Sequence, residues 1–144
     1  MYISDIHRLS ARGAENGGVC MKFYKCEICG NIIEFRNESG VTVVCCGQDM
    51  EEIIPGTSDG AAEKHVPAIT IDGSKVTVAV GSVQHPSTDA HYIEWIALET
   101  KKGAQRVDLA PGDVPTAEFL LAEGDEAVAA YEYCNLHSLW MAKA

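Results

Sequence analysis

Cys26 and Cys29 stand two residues apart, and an adjacent pair, Cys45 and Cys46, follows after a turn-rich stretch. Four thiols so spaced oblige a segment to fold back on itself. A Cys-x-x-Cys turn aims two sulfurs at one point, and a second pair from a distant strand completes a tetrahedron. Gly30 permits the tight backbone of such a knuckle. The adjacent pair is the unusual part, because neighbouring residues on a strand point to opposite faces. Binding one ion through both Cys45 and Cys46 therefore demands a local kink and a distorted site. From spacing alone, structural zinc and redox iron suit this set about equally. A segment of this size buries little core, so a metal is the staple it needs.

A second set of ligand-type residues follows. His65 lies in Glu63-Lys64-His65-Val66-Pro67, His85 precedes Pro86, His91 closes the same loop, and Cys134-Asn135-Leu136-His137 forms another. Singly, each histidine is an ordinary packed or surface residue; together they offer one ion four imidazoles and one thiolate. Imidazole suits iron, zinc, copper and nickel, which leaves the metal open. Five donors leave an octahedral ion one free position, where a substrate can meet a redox metal directly. Glu63 and Lys64 read from spacing as a solvated ion pair. Beside a ligand, however, Lys64 can attract an anion and Glu63 can ligate or shield the metal. His7 and Cys20 have no such neighbours and read as a surface residue and a free thiol.

The formal net charge of -10 supplies no basic stripe for phosphates and argues against a nucleic-acid partner. It also repels small anions, so anion chemistry needs a local positive spot. The first residues carry no apolar run of a secretory signal, and no later stretch is long enough to span a bilayer. A cytoplasmic location is expected, with thiols kept reduced and acting as ligands rather than disulfides.

Residues 1–21 are polar and aperiodic and are expected to form a disordered extension, with Met21 an alternative start. Residues 22–57 are expected as the metal-stapled domain, with strands over Lys22–Lys25, Asn31–Phe35 and Val41–Val44, the last two around a turn at Asn37–Gly40. Pro55–Gly60 reads as a linker. Residues 58–144 hold strand patterns at Val76–Val80, Tyr92–Leu98 and Val128–Tyr133, which predict an all-β sandwich or barrel; Glu118–Ala122 fits either helix or strand.

These motifs in combination resemble the desulfoferrodoxin family, the two-iron class of superoxide reductase. The resemblance runs from about Lys22 to the C-terminus through Tyr24-Lys25-Cys26-x-x-Cys29-Gly30-Asn31, Cys45-Cys46-Gly47, Asp59-Gly60-Ala61, Glu63 to Pro67, Gly81-Ser82-Val83-x-His85-Pro86, His91-x-Ile93-Glu94-Trp95-Ile96 and Glu132 to His137. It implies a desulforedoxin-like Fe(Cys)4 domain joined to an immunoglobulin-like β-sandwich. Two non-haem irons are implied, one on Cys26, Cys29, Cys45 and Cys46, the other on equatorial His65, His85, His91 and His137 with Cys134 as the axial thiolate. It further implies Glu63 as the sixth ligand of ferric iron, Lys64 as the residue that steers superoxide, a rubredoxin-like donor and a homodimer. The implied reaction is one-electron reduction of superoxide to hydrogen peroxide without release of dioxygen. A non-enzymatic electron carrier would have no use for the open position, and a zinc-stapled module would not need a thiolate among histidines.

Overall fold

The computed structural model describes residues 21–144. The expectations for the N-terminal extension, His7 and Cys20 lie outside the described residues, Met21 apart. The chain divides into two compact units, the first ending at Glu52 and the second spanning Ile53–Ala144. Among the described residues no helix is long and apolar enough to cross a membrane.

In the first unit, β1 (Phe23–Lys25) and β2 (Ile32–Glu34) pair antiparallel, Tyr24 opposite Ile33. The cysteine knuckle is their connection: Cys26 N–H donates to the Asn31 carbonyl and Gly30 N–H to the Cys26 carbonyl, both at 2.9 Å. Gly30 sits at φ +80°, a conformation open to glycine at little cost. The short strands β3 (Val44–Cys45) and β4 (Gln48–Asp49) make a second hairpin, and β5 (Glu51–Ile53) joins β1 in the order β2-β1-β5. This differs from the expected hairpin around Asn37–Gly40. The Asn31–Phe35 region pairs backward with β1, whereas Val44–Cys45 pairs forward with Gln48–Asp49. The physical reason is that each cysteine pair sits at the turn of its own hairpin, Cys26 to Cys29 between β1 and β2 and Cys45–Cys46 at the end of β3, so the strands on either side pair across that turn. Residues 35–38 are fastened to β1 instead, Tyr24 donating to Glu38 at 2.8 Å and packing edge-on against Phe35.

The second unit begins with a single helical turn, α1 (Ala62–His65), followed by β6 (Pro67–Asp72), β7 (Lys75–Val80), β8 (Ile93–Thr100), β9 (Gly103–Asp108), β10 (Thr116–Leu120), β11 (Ala127–Cys134) and β12 (Ser138–Lys143). The strands form two antiparallel sheets, β10-β7-β6 and β12-β11-β8-β9. Two separate sheets make a sandwich rather than a closed barrel. Glu118 and Leu120 turn out of β10 while Ala117 and Phe119 turn in, which settles residues 118–120 as strand, with Leu121 and Ala122 beyond its end. Val76, Val78 and Val80 of one sheet and Ile96, Leu98, Ala130 and Cys134 of the other build the buried core.

The registers decide where function sits. Pro67 at the start of β6 lies opposite Val80 at the end of β7, and Cys134 at the end of β11 lies opposite both Ile93 and Ser138. Within each sheet, the chain next to a ligand therefore enters or leaves at one end, and the segments carrying His65, His85, His91 and His137 are connections there rather than strand interiors.

Candidate metal centres

The four thiols of the first unit converge, with sulfurs all within 4.8 Å of one another and those of Cys29 and Cys45 at 3.6 Å. Ligands about 2.3 Å from a tetrahedral ion stand about 3.8 Å apart, so the Cys29–Cys45 separation already suits a metal and the set as a whole lies within its reach. All four are free thiols. The demanded kink is present: Cys46 takes φ +52° and Gly47 φ +75°. Two consecutive left-handed residues in a two-residue loop are the signature of a type I′ turn, and they bring the Cys46 side chain round to the side of Cys45. Backbone N–H groups of Cys29 and Ile28 hold the Cys26 thiol down at about 6. Hydrogen bonding with Cys29 and then Cys26, with desolvation behind them, pushes Cys46 up to about 12. One thiol ionises readily and the next resists, so four thiolates coexist only around a cation.

The second set also closes. Donor atoms of His65, His85, His91, Cys134 and His137 all lie within 4.8 Å of one another. His65 Nδ1–H donates to the Ala61 carbonyl at 2.8 Å and His85 Nδ1–H to the Pro86 carbonyl at 2.7 Å. A carbonyl only accepts, so both rings carry their proton on Nδ1 and present a bare Nε2. Those two Nε2 atoms face each other at 3.2 Å. Two lone pairs repel at that distance unless a cation lies between them, and cis donors about 2.1 Å from a metal stand about 3.0 Å apart. Among the described residues His91 Nε2 is buried with no hydrogen-bond partner, the orphan a metal would satisfy. Burial lowers the pKa of all three rings, that of His85 to about 4, which keeps them neutral and able to ligate.

Cys134 belongs to the hydrophobic core, its sulfur 3.4 Å from His85 Nε2 and 3.7 Å from His137 Nδ1. Burial raises its pKa, while the backbone N–H groups of Leu136 and His137 favour the thiolate; a metal charge would complete the ionisation. Glu132, two residues earlier, is fully buried, its carboxyl oxygens have no hydrogen-bond partner among the described residues, and burial pushes its pKa up to about 9. Glu63 and Lys64 are exposed on α1. The Lys64 charge is felt at both His65 and His91, lowering each.

Several residues that hold the ligands carry no sign of that role in the sequence. Trp140 stacks on the His65 ring, centroids 5.1 Å apart, and donates from Nε1 to the His137 carbonyl at 3.0 Å. Ser58 donates to the same carbonyl, and Gly56 N–H donates to the Leu139 carbonyl at 2.9 Å, so residues read as a linker are bonded to the β11–β12 turn and the start of β12. A Cβ on Gly60 would stand 2.9 Å from His65 Cε1 and 3.0 Å from His137 Cβ. The ring packing leaves no room there for any side chain.

The desulfoferrodoxin family profile matches residues 57–143, and that of the desulfoferrodoxin N-terminal domain matches residues 19–53. The chain is 50% identical over 125 residues to the desulfoferrodoxin of Nitratidesulfovibrio vulgaris, covering 85% of this chain and 96% of that protein. The crystal structure of the superoxide reductase from Treponema pallidum is similar with a TM-score of 0.73 and 36% identity, covering 87% of this chain and 100% of that one. The superoxide reductase (1Fe-SOR) from Giardia intestinalis is similar at a TM-score of 0.50 and 32% identity, over 57% of this chain and 97% of its own.

Proposed function

The chain belongs to the desulfoferrodoxin family, and from that premise we propose that it is a superoxide reductase, reducing superoxide to hydrogen peroxide at its histidine and cysteine centre. The observation that carries this is a buried thiol converging with two bare imidazole nitrogens and with the unpartnered Nε2 of His91, in a set that fits a metal. His65, His85, His91, His137 and Cys134 would hold one iron, and Cys26, Cys29, Cys45 and Cys46 the other. Iron, when bound, supplies the single electron that superoxide takes up with two protons to become hydrogen peroxide. Five protein donors are one fewer than an octahedral ion accepts, which suits a centre that must meet its substrate. The decisive test is stoichiometric: anaerobically prepared protein loaded with ferrous iron and given less than one superoxide per chain should yield one peroxide per superoxide and no dioxygen, the ferrous iron supplying each electron. Dioxygen at half the superoxide consumed would mean dismutation and overturn the assignment.

Lys64 supplies the local positive charge that a molecule of net charge -10 otherwise lacks. It acts on the encounter, so Lys64→Ala should slow the bimolecular reaction with superoxide about tenfold and flatten its ionic-strength dependence. An unchanged rate in pulse radiolysis would remove Lys64 from the mechanism. Glu63, beside it, would act after the reduction, offering its carboxylate as a further donor to ferric iron. Glu63→Ala should alter the ferric absorption spectrum while leaving the reduction rate largely intact; a loss as deep as that of a ligand deletion would reverse this order. The likeness to the family also supports a rubredoxin-like donor and a homodimer. Sedimentation of the loaded protein at the mass of one chain would withdraw the dimer.

A further inference from the structure

We infer that Asn135 is a positioning residue of the metal centre, its side-chain amide clasping both residues that flank His91 and coupling that ligand to the turn carrying Cys134 and His137. His65 and His85 are each oriented by a hydrogen bond from their own ring to a carbonyl. His137 is held through its carbonyl by Ser58 and Trp140. Among the described residues the His91 ring makes no hydrogen bond, and its Nε2 is buried without a partner. Apart from edge-on packing against the His85 and His137 rings, its orientation comes from its backbone.

Asn135 supplies that hold. Its Oδ1 accepts from Tyr92 N–H at 3.0 Å, its Nδ2 donates to the Ala90 carbonyl at 3.0 Å, and its own N–H reaches the Tyr92 carbonyl at 3.2 Å. The amide orientation follows from the partners, since an N–H can face only the oxygen and a carbonyl only the NH2 group. Thr88 closes the turn before His91, accepting His91 N–H on its hydroxyl at 3.1 Å, but that bond is internal to the loop. The amide of Asn135 spans from that loop to the other turn. Only a side chain carrying a donor and an acceptor on one carbon can bridge the two residues around His91, which is why asparagine stands between Cys134 and His137. Outer partners of this kind orient metal-bound imidazole and tune the metal.

The inference rests on the histidine and cysteine set being the iron centre, and the test separates the two. Full-length wild type, Asn135→Ala and the isosteric Asn135→Asp are iron-loaded, and three quantities are read: iron per chain, the ferric electron paramagnetic resonance of the second centre, and the rate of iron release to excess chelator. The Fe(Cys)4 absorption serves as the internal reference. Aspartate keeps the acceptor for Tyr92 but sets a carboxylate oxygen against the Ala90 carbonyl, so it opens one arm of the clasp with little change of volume. Both variants are expected to release the second iron about tenfold faster than wild type and to show a shifted ferric signal, with the Fe(Cys)4 band unchanged. If alanine prevents folding, aspartate decides alone. Wild-type release and wild-type ferric signals in Asn135→Asp would overturn the inference while leaving the centre intact. A wild-type protein that takes up no iron at this set would overturn the centre and the inference together.

Discussion

Gly81→Ala is expected to strip the second unit of most of its metal. A Cβ at that position would stand 2.7 Å from the Glu63 carbonyl oxygen and 3.0 Å from both the Lys64 carbonyl carbon and the Val66 carbonyl oxygen. Every one of these is backbone, so no side chain can swing aside. The Glu63 carbonyl already accepts Val83 N–H at 2.9 Å and the Ser82 hydroxyl at 3.2 Å, so the collision also opens the joint between α1 and the loop leading to His85. Overpacking of this kind costs about 2 kcal/mol. Its functional cost is larger, since His65 rides on the displaced turn, and a misdirected ligand lowers metal affinity about ten- to a hundredfold. Iron analysis should fall from two towards one per chain, with the Fe(Cys)4 absorption retained. Retention of both irons at wild-type affinity would show that the turn yields without moving His65.

Removing the metal from the first unit is expected to unfold that unit and leave the sandwich standing. Of its described residues only Phe23, Cys26 and Met50 are buried apolar side chains. Burying two large ones contributes about 5 kcal/mol, too little to order a segment whose backbone gives up about 1–2 kcal/mol per residue. Structural metals in comparably small domains contribute about 10 kcal/mol or more. Cys26→Ala, or chelation of wild type, should therefore collapse the amide NMR dispersion of residues 22–52, while the protected amides of β7, β8 and β11 survive. Dispersed signals for both units without metal would show that the hairpins hold themselves.

Both ligand sets were legible in the sequence because few residue types bind metals and their clustering is improbable otherwise. The demand for a kink at Cys45-Cys46 was legible too, since strand geometry forbids the alternative, and the structure meets it with the left-handed Cys46. The pairing of the first unit's strands was less so: Val41–Val44 and Asn31–Phe35 have strand composition, yet nothing local says that each cysteine pair lies in a hairpin turn. Glu118–Ala122 was ambiguous for the same reason, its inward Ala117 and Phe119 being decided by the neighbouring β7. Least legible were the holders of the ligands. Ser58, Gly60 and Trp140 act through tertiary contacts to a carbonyl or a ring, and a serine in a turn-rich stretch looks identical whether or not such a carbonyl waits for it.

The way the two ligand sets are strung along the chain gives them different histories. The thiol set closes between Cys26 and Cys46, through short hairpins that need no distant partner. The other set is scattered from His65 to His137 and exists as a set only once β6, β7, β8, β11 and β12 have brought their common ends together. Short-range closure precedes long-range strand pairing. The first metal can thus enter a nascent chain and help shape it, whereas the second must be delivered to a finished scaffold, and the stress of a metal-poor cell falls differently on the two: scarcity early in synthesis threatens the fold of the first unit, and scarcity late leaves a well-formed but idle sandwich.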